Sequence, residues 1–108
     1  MIDPTAKYLF MNALERDSKI SVNITNEEVS YTVISTLSKY FVTIDKVKRT
    51  VRFQRHVLRS IREDITYPLD IFTEEAYFQY STVYDLPFTI EEHKVILHRL
   101  KAKIYVDL

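Results

Sequence analysis

Ile44-Asp45-Lys46-Val47-Lys48-Arg49-Thr50-Val51-Arg52-Phe53-Gln54-Arg55-His56-Val57-Leu58-Arg59-Ser60-Ile61-Arg62-Glu63-Asp64-Ile65 is a stretch that admits two structures, each with a different fold behind it. Read as a helix, Ile44, Val47, Val51, Gln54, Leu58, Ile61 and Ile65 recur at 3-4-3-4-3-4 spacing, the heptad pattern of an apolar seam. Displaced from that seam by one position, Lys48, Arg52, Arg55, Arg59 and Arg62 form a parallel basic stripe. The rival reading is a hairpin through Phe41-Val42-Thr43-Ile44 and Thr50-Val51-Arg52-Phe53, favoured by the frequency of β-branched residues. That hairpin lacks an Asn-Gly, Asp-Gly or other pair suited to φ > 0 between its strands. The spacing therefore predicts a helix over residues 45–64.

Toward the N-terminus, Asp3 followed by Pro4 reads as an N-cap with proline at the first helical position. Ala6, Leu9, Phe10, Ala13 and Leu14 carry that first helix to about Asp17. Ile20, Val22 and Ile24 then alternate with Ser21 and Asn23, as a short strand does. Thr25 with Glu28 three residues on has the form of a capping box. It opens a second helix, faced by Val29, Val33, Leu37, Tyr40 and Phe41 with Ile34 beside them, that ends near residue 42. Beyond the quoted stretch, Thr73 or Asp70 opens a fourth helix that Pro87 closes. Thr89 with Glu92 caps a fifth, on which Ile90, His93, Leu97 and Leu100 share a face. The tail Ile104-Tyr105-Val106-Asp107-Leu108 either continues that helix or, in the preferred reading, pairs with residues 20–24. The expected fold is mainly α: one domain over residues 1–108, a small bundle of four to five helices with a two-stranded ribbon of residues 20–24 and 104–108 as its added element.

Composition bounds the function. An apolar content of 46 %, with 13 % aromatics in 108 residues, supports a packed core and disfavours disorder. Average usage would place about seven or eight glycines in such a chain, and there are none. Gly-rich phosphate loops, the EF-hand turn and the G-x-S-x-G elbow are thereby excluded. Without cysteine there is neither a disulfide framework nor a thiolate metal site, which points to an intracellular, cytoplasmic setting, in a host cell if the protein is viral. No apolar run approaches the roughly 18–20 residues of a membrane helix, and the first residues lack the features of a signal peptide, so no membrane partner is expected.

The charges sum to zero and segregate. Residues 46–62 carry Lys46, Lys48, Arg49, Arg52, Arg55, Arg59 and Arg62 and no acid, whereas residues 63–92 carry eight acids and no Lys or Arg. The acidic block also holds Tyr77, Tyr80 and Tyr84 at i, i+3 and i+7, one face of a helix. His56, His93 and His98 have no ligand-spaced acid beside them, so no metal site is expected. The pairs Glu27-Glu28 and Glu91-Glu92 follow Thr caps, where carboxylates complement the helix dipole; Glu74-Glu75 is a further pair of the same kind. No catalytic constellation and no cofactor are expected. The expectation is a non-enzymatic binding protein that presents Lys48, Arg52, Arg55, Arg59 and Arg62, with Tyr77, Tyr80 and Tyr84, to a protein partner with an acidic surface or to a second copy. Nucleic acid bound by the basic segment 46–62 is the alternative. The compact, glycine-free style suggests an accessory protein of a phage or other virus, or a subunit of a larger assembly.

Overall fold

The computed structural model describes residues 2–16, 20–35, 38–69 and 74–107, with side chains through Leu100 apart from that of residue 74. The order of elements is α1 (Pro4–Leu14), β1 (Ile20–Ile24), β2 (Glu28–Ile34), β3 (Lys39–Asp45), β4 (Thr50–Val57), β5 (Ser60–Pro68), α2 (Glu74–Ser81) and α3 (Ile90–Asp107). The five strands form one antiparallel sheet in the order β1-β2-β3-β4-β5. This replaces the expected bundle of four to five helices: the predicted second and third helices are strands, and the hairpin reading of residues 41–53 is the correct one.

The reason lies in which residues each alternative buries. A helix over 45–64 would bury Gln54 and leave Phe53 off the seam. Strand periodicity instead sends Val51 and Phe53 inward, 5 % and 1 % exposed, and leaves Gln54 on the other face. The same alternation buries Val29, Tyr31 and Val33 on β2 and Tyr40 and Val42 on β3. Leu58, a seam residue of the helical reading, is 95 % exposed at the tip of the β4–β5 hairpin, and Val47 is 73 % exposed in the β3–β4 turn.

The missing turn glycines are replaced by ordinary residues. Arg49 and Leu58 both sit at φ 55°, in the left-handed region that costs a non-glycine residue about 1–2 kcal/mol. In the β3–β4 turn, Asp45 Oδ1 accepts from the backbone N–H groups of Val47 (2.9 Å) and Lys48 (2.8 Å), which holds the loop closed. Thr25 and Glu28 likewise build a turn. The Thr25 hydroxyl accepts from the Glu28 N–H at 3.0 Å, and the Thr25 N–H donates to the Glu28 carbonyl at 2.9 Å, joining β1 to β2 instead of starting a helix.

The helical layer follows its capping signals. Asp3 caps α1 by accepting from Thr5 and Ala6, with Pro4 in the first turn. The helix ends at Leu14, and Asp17 lies outside the described residues, as do Leu37, Asp70 and Thr73. Thr89 and Glu92 form a reciprocal capping box on α3, Thr89 N–H to Glu92 Oε1 at 2.8 Å and Glu92 N–H to Thr89 Oγ1 at 3.2 Å. Residues 104–107 continue α3, while residues 20–24 pair with β2, so the expected ribbon does not form. Phe10 of α1 joins the layers, with ring centroids 4.8 Å from Tyr40, 5.5 Å from Phe53 and 5.3 Å from Phe88. Tyr40 donates its hydroxyl to the Ala6 carbonyl at 2.9 Å. One face of the sheet is thus the core. Among the described residues, no helix is long and apolar enough to cross a membrane.

Candidate functional face of the sheet

Strand pairing fixes what stands on the opposite face. Successive cross-strand rows read Asn23, Ser30, Thr43, Arg52, Thr66, and then Ser21, Thr32, Phe41, Gln54, Asp64. A third row places Ile34, Lys39 and His56 side by side, and a fourth Glu28, Asp45, Thr50 and Pro68. None of the described helices packs on these rows, and every side chain in them is exposed or half-buried. The face is a hydroxyl- and amide-rich surface with charges toward both ends. Its two ends are about 20 Å apart along β4.

Each end carries a cleft. At one end a cleft of about 530 Å³ is lined by Lys48, Arg52, Thr43, Thr50 and Thr66 together with Asp45, Asp64 and Glu28. Arg52 holds Asp64 in a two-point pair, Nε to Oδ1 at 2.9 Å and Nη2 to Oδ2 at 2.8 Å. That hydrogen bond raises the arginine's pKa and lowers that of the aspartate. At the other end a cleft of about 440 Å³ is lined by Phe41, His56, Lys39, Ser35, Ile34 and Leu58. The Phe41 and His56 rings meet there edge-on, with centroids 4.7 Å apart at 65°. Phe41 belongs neither to the core nor to the residues packed against it, and His56 Nε2 is covered without a hydrogen-bond partner among the described residues.

The sequence-predicted residues do not assemble into a stripe. Lys48 and Arg59 fall in turns at opposite ends of β4, both exposed. Arg52 stands on the uncovered face. Arg55 turns toward the core side and pairs with Glu63 directly across β4–β5, by an Nε contact and by Nη2 to Oε1 at 2.9 Å. Arg62 is exposed on β5. Of the set, Lys48 and Arg52 share a cleft. Tyr77, Tyr80 and Tyr84 pack against the core, and Tyr77 donates its hydroxyl to the Phe88 carbonyl at 2.8 Å. All three are half-buried, and the rings of Tyr80 and Tyr84 meet edge-on with centroids 6.2 Å apart. Phe41, His56 and Lys39 were missed because the helical reading gave them no common face. The register of the rival hairpin, Lys39 opposite His56 and Phe41 opposite Gln54, is the signal that finds them.

Among the described residues, no group of three or more His, Asp or Glu side chains is gathered to hold a metal ion. No protein-family model, curated protein or solved structure matches the chain. The expectation of a viral accessory protein gains no relative from these comparisons, and it is not carried further.

Proposed function

We propose that this protein binds nucleic acid across the uncovered face of its sheet, as a binding module and not an enzyme. The observation that carries the reading is the Phe41–His56 pair, an aromatic ring and an imidazole set outside the core on a polar, hydroxyl-rich face, with Lys39 beside them. Aromatic rings on an open sheet give bases a surface to lie on, and lysine and arginine give phosphates a counter-charge. Lys48, exposed, supplies that charge at the far end of the same face. The expectation of an acidic protein partner or a second copy rests on a helical arginine stripe, which the fold replaces with two strands. The nucleic-acid alternative needs cations but no stripe, and Lys39 and Lys48 stand exposed at the two ends of the face. An intracellular location belongs to the same reading.

With Arg52 already paired to Asp64, few cations described on this face remain for phosphates, so stacking and hydrogen bonding must carry much of the affinity. Fluorescence anisotropy with labelled oligonucleotides tests this. Binding at low salt should fall with a log–log slope of only about −1 to −2, the signature of roughly two neutralised phosphates. Lys39→Glu and Lys48→Glu, both at exposed positions, should weaken it without lowering the melting temperature. Absence of binding to any nucleic acid at low salt would sink the proposal.

A further inference from the structure

We infer that the corner formed by Phe41 and His56 is a nucleobase site, so that the ligand is single-stranded; this rests on the nucleic-acid reading above. The two side chains are diagonal neighbours on β3 and β4, Phe41 facing Gln54 and His56 facing Lys39. At an interplanar angle of 65° the rings meet edge to face instead of stacking on one another, and both line the same cleft. A flat heterocycle laid on the face of Phe41 meets the imidazole with its edge, where bases carry their donors and acceptors. Ile34 and Leu58, 43 % and 95 % exposed, supply apolar flanks that nothing else described covers. Lys39 stands at the mouth, exposed, within the lining of the same cleft. A volume of about 440 Å³ falls in the range of sites for small organic ligands.

His56 Nε2 supplies an independent observation. It is a covered polar atom without a partner among the described residues, a situation that proteins generally avoid. The ring lines the cleft, and in the proposed complex it turns to bring Nε2 to the base. Hydrogen bonding to a base edge then satisfies it. A base inside a duplex is stacked on both faces and paired along its edge, and it reaches such a corner only by leaving the helix, at the cost of unstacking. Single strands present their bases without that cost.

The test compares three probes of equal length and sequence composition: an unstructured single strand, the same backbone with abasic sites throughout, and the duplex. The native protein should prefer the intact single strand over both others by about tenfold to a hundredfold, the range of one to two stacked bases. Phe41→Leu, which keeps an apolar side chain of similar volume but removes the ring, should bring the intact strand down to the abasic level, as should His56→Ala. In parallel, the His56 ring resonances of the native protein should shift on titration with a nucleoside monophosphate, a readout that needs no variant to fold. Equal binding of intact and abasic strands, or His56 resonances that do not move, would overturn the base site. If Lys48→Glu still abolished that equal binding, the nucleic-acid reading would survive. Failure of all three probes to bind would remove both.

Discussion

Tyr31 shows how much of this core is decided one side chain at a time. It is 1 % exposed on the inner face of β2, and its hydroxyl has no hydrogen-bond partner among the described residues. Burial pushes its pKa up to about 12. Tyr40, its neighbour on β3, spends its hydroxyl on the Ala6 carbonyl instead. An unmade hydrogen bond on a buried group carries a desolvation cost with no return, so Tyr31→Phe should raise the unfolding free energy by about 1 kcal/mol. A urea titration with an unchanged m value checks it, and a loss of stability would mean that the hydroxyl is satisfied after all. The paired charges follow the same logic in graded form. Arg55 and Glu63 are 17 % and 20 % exposed at their side chains, against 52 % and 35 % for Arg52 and Asp64. Removing one partner should therefore cost more at the first pair than at the second, since water stands in for a lost partner more readily at an exposed site.

Among the elements, the hairpins carry the strain and the lesson about legibility. Leu58 holds φ 55° while its side chain is almost wholly in solvent. Leu58→Gly loses no packing and relieves the left-handed penalty, partly offset by the greater freedom of the unfolded glycine. It should gain about 0.5–1 kcal/mol and raise the melting temperature by a few degrees, measurable by circular dichroism. Leu58→Ala should be nearly neutral, where a buried seam leucine would lose about 2–5 kcal/mol. The caps of α1 and α3 were legible because Asp3-Pro4 and Thr89 with Glu92 act through hydrogen bonds local in sequence. The sheet was not, because period-seven coincidences among Ile44, Val51, Leu58 and Ile65 imitate a helix, and because the turn marker sought was glycine. Thr25 and Glu28 make the point most sharply: the same residue pattern that caps α3 closes the β1–β2 hairpin, and only the strands on either side distinguish the two. The candidate face was illegible for the same reason, since Phe41 and His56 are fifteen positions apart and meet only through the β3–β4 register.

At the scale of the whole molecule, the segregated charges resolve in part within the chain, through the Arg52–Asp64 and Arg55–Glu63 pairs that cross from the basic block to the acidic one. The helical layer and the sheet are joined by a different device. His93 of α3, 3 % exposed, places Nε2 2.8 Å from the Tyr67 hydroxyl of β5 and Nδ1 3.0 Å from the Thr89 carbonyl. A carbonyl only accepts, so the proton is on Nδ1 and Nε2 accepts from tyrosine; the ring is neutral. Phe88 and Tyr77 close around it, with ring centroids 5.5 Å and 6.3 Å away. Burial lowers the His93 pKa to about 4, outweighing the raising effects of the Thr89 carbonyl and the Glu92 charge. In the unfolded chain the same imidazole titrates near its ordinary value of 6.5. Above that value neither state is protonated there and His93 imposes no pH dependence. Below it the unfolded chain takes up the proton first, so stability should fall between pH 6.5 and 4 by up to about 3 kcal/mol and level off once the folded ring titrates as well. Asp64 and Glu92 both have pKa values lowered in the fold, Asp64 by its bond from Arg52 and Glu92 because its bonds to Thr89 and Lys7 outweigh burial; they lose their contributions as the pH falls through their ordinary values of 3.8 and 4.5, so Glu92 overlaps only the foot of the His93 window. Denaturant titrations from pH 7.5 to 4 should show the earlier slope in the native protein and not in His93→Gln, which cannot titrate. An equal slope in both would move the acid sensitivity of this fold away from the bond between α3 and β5.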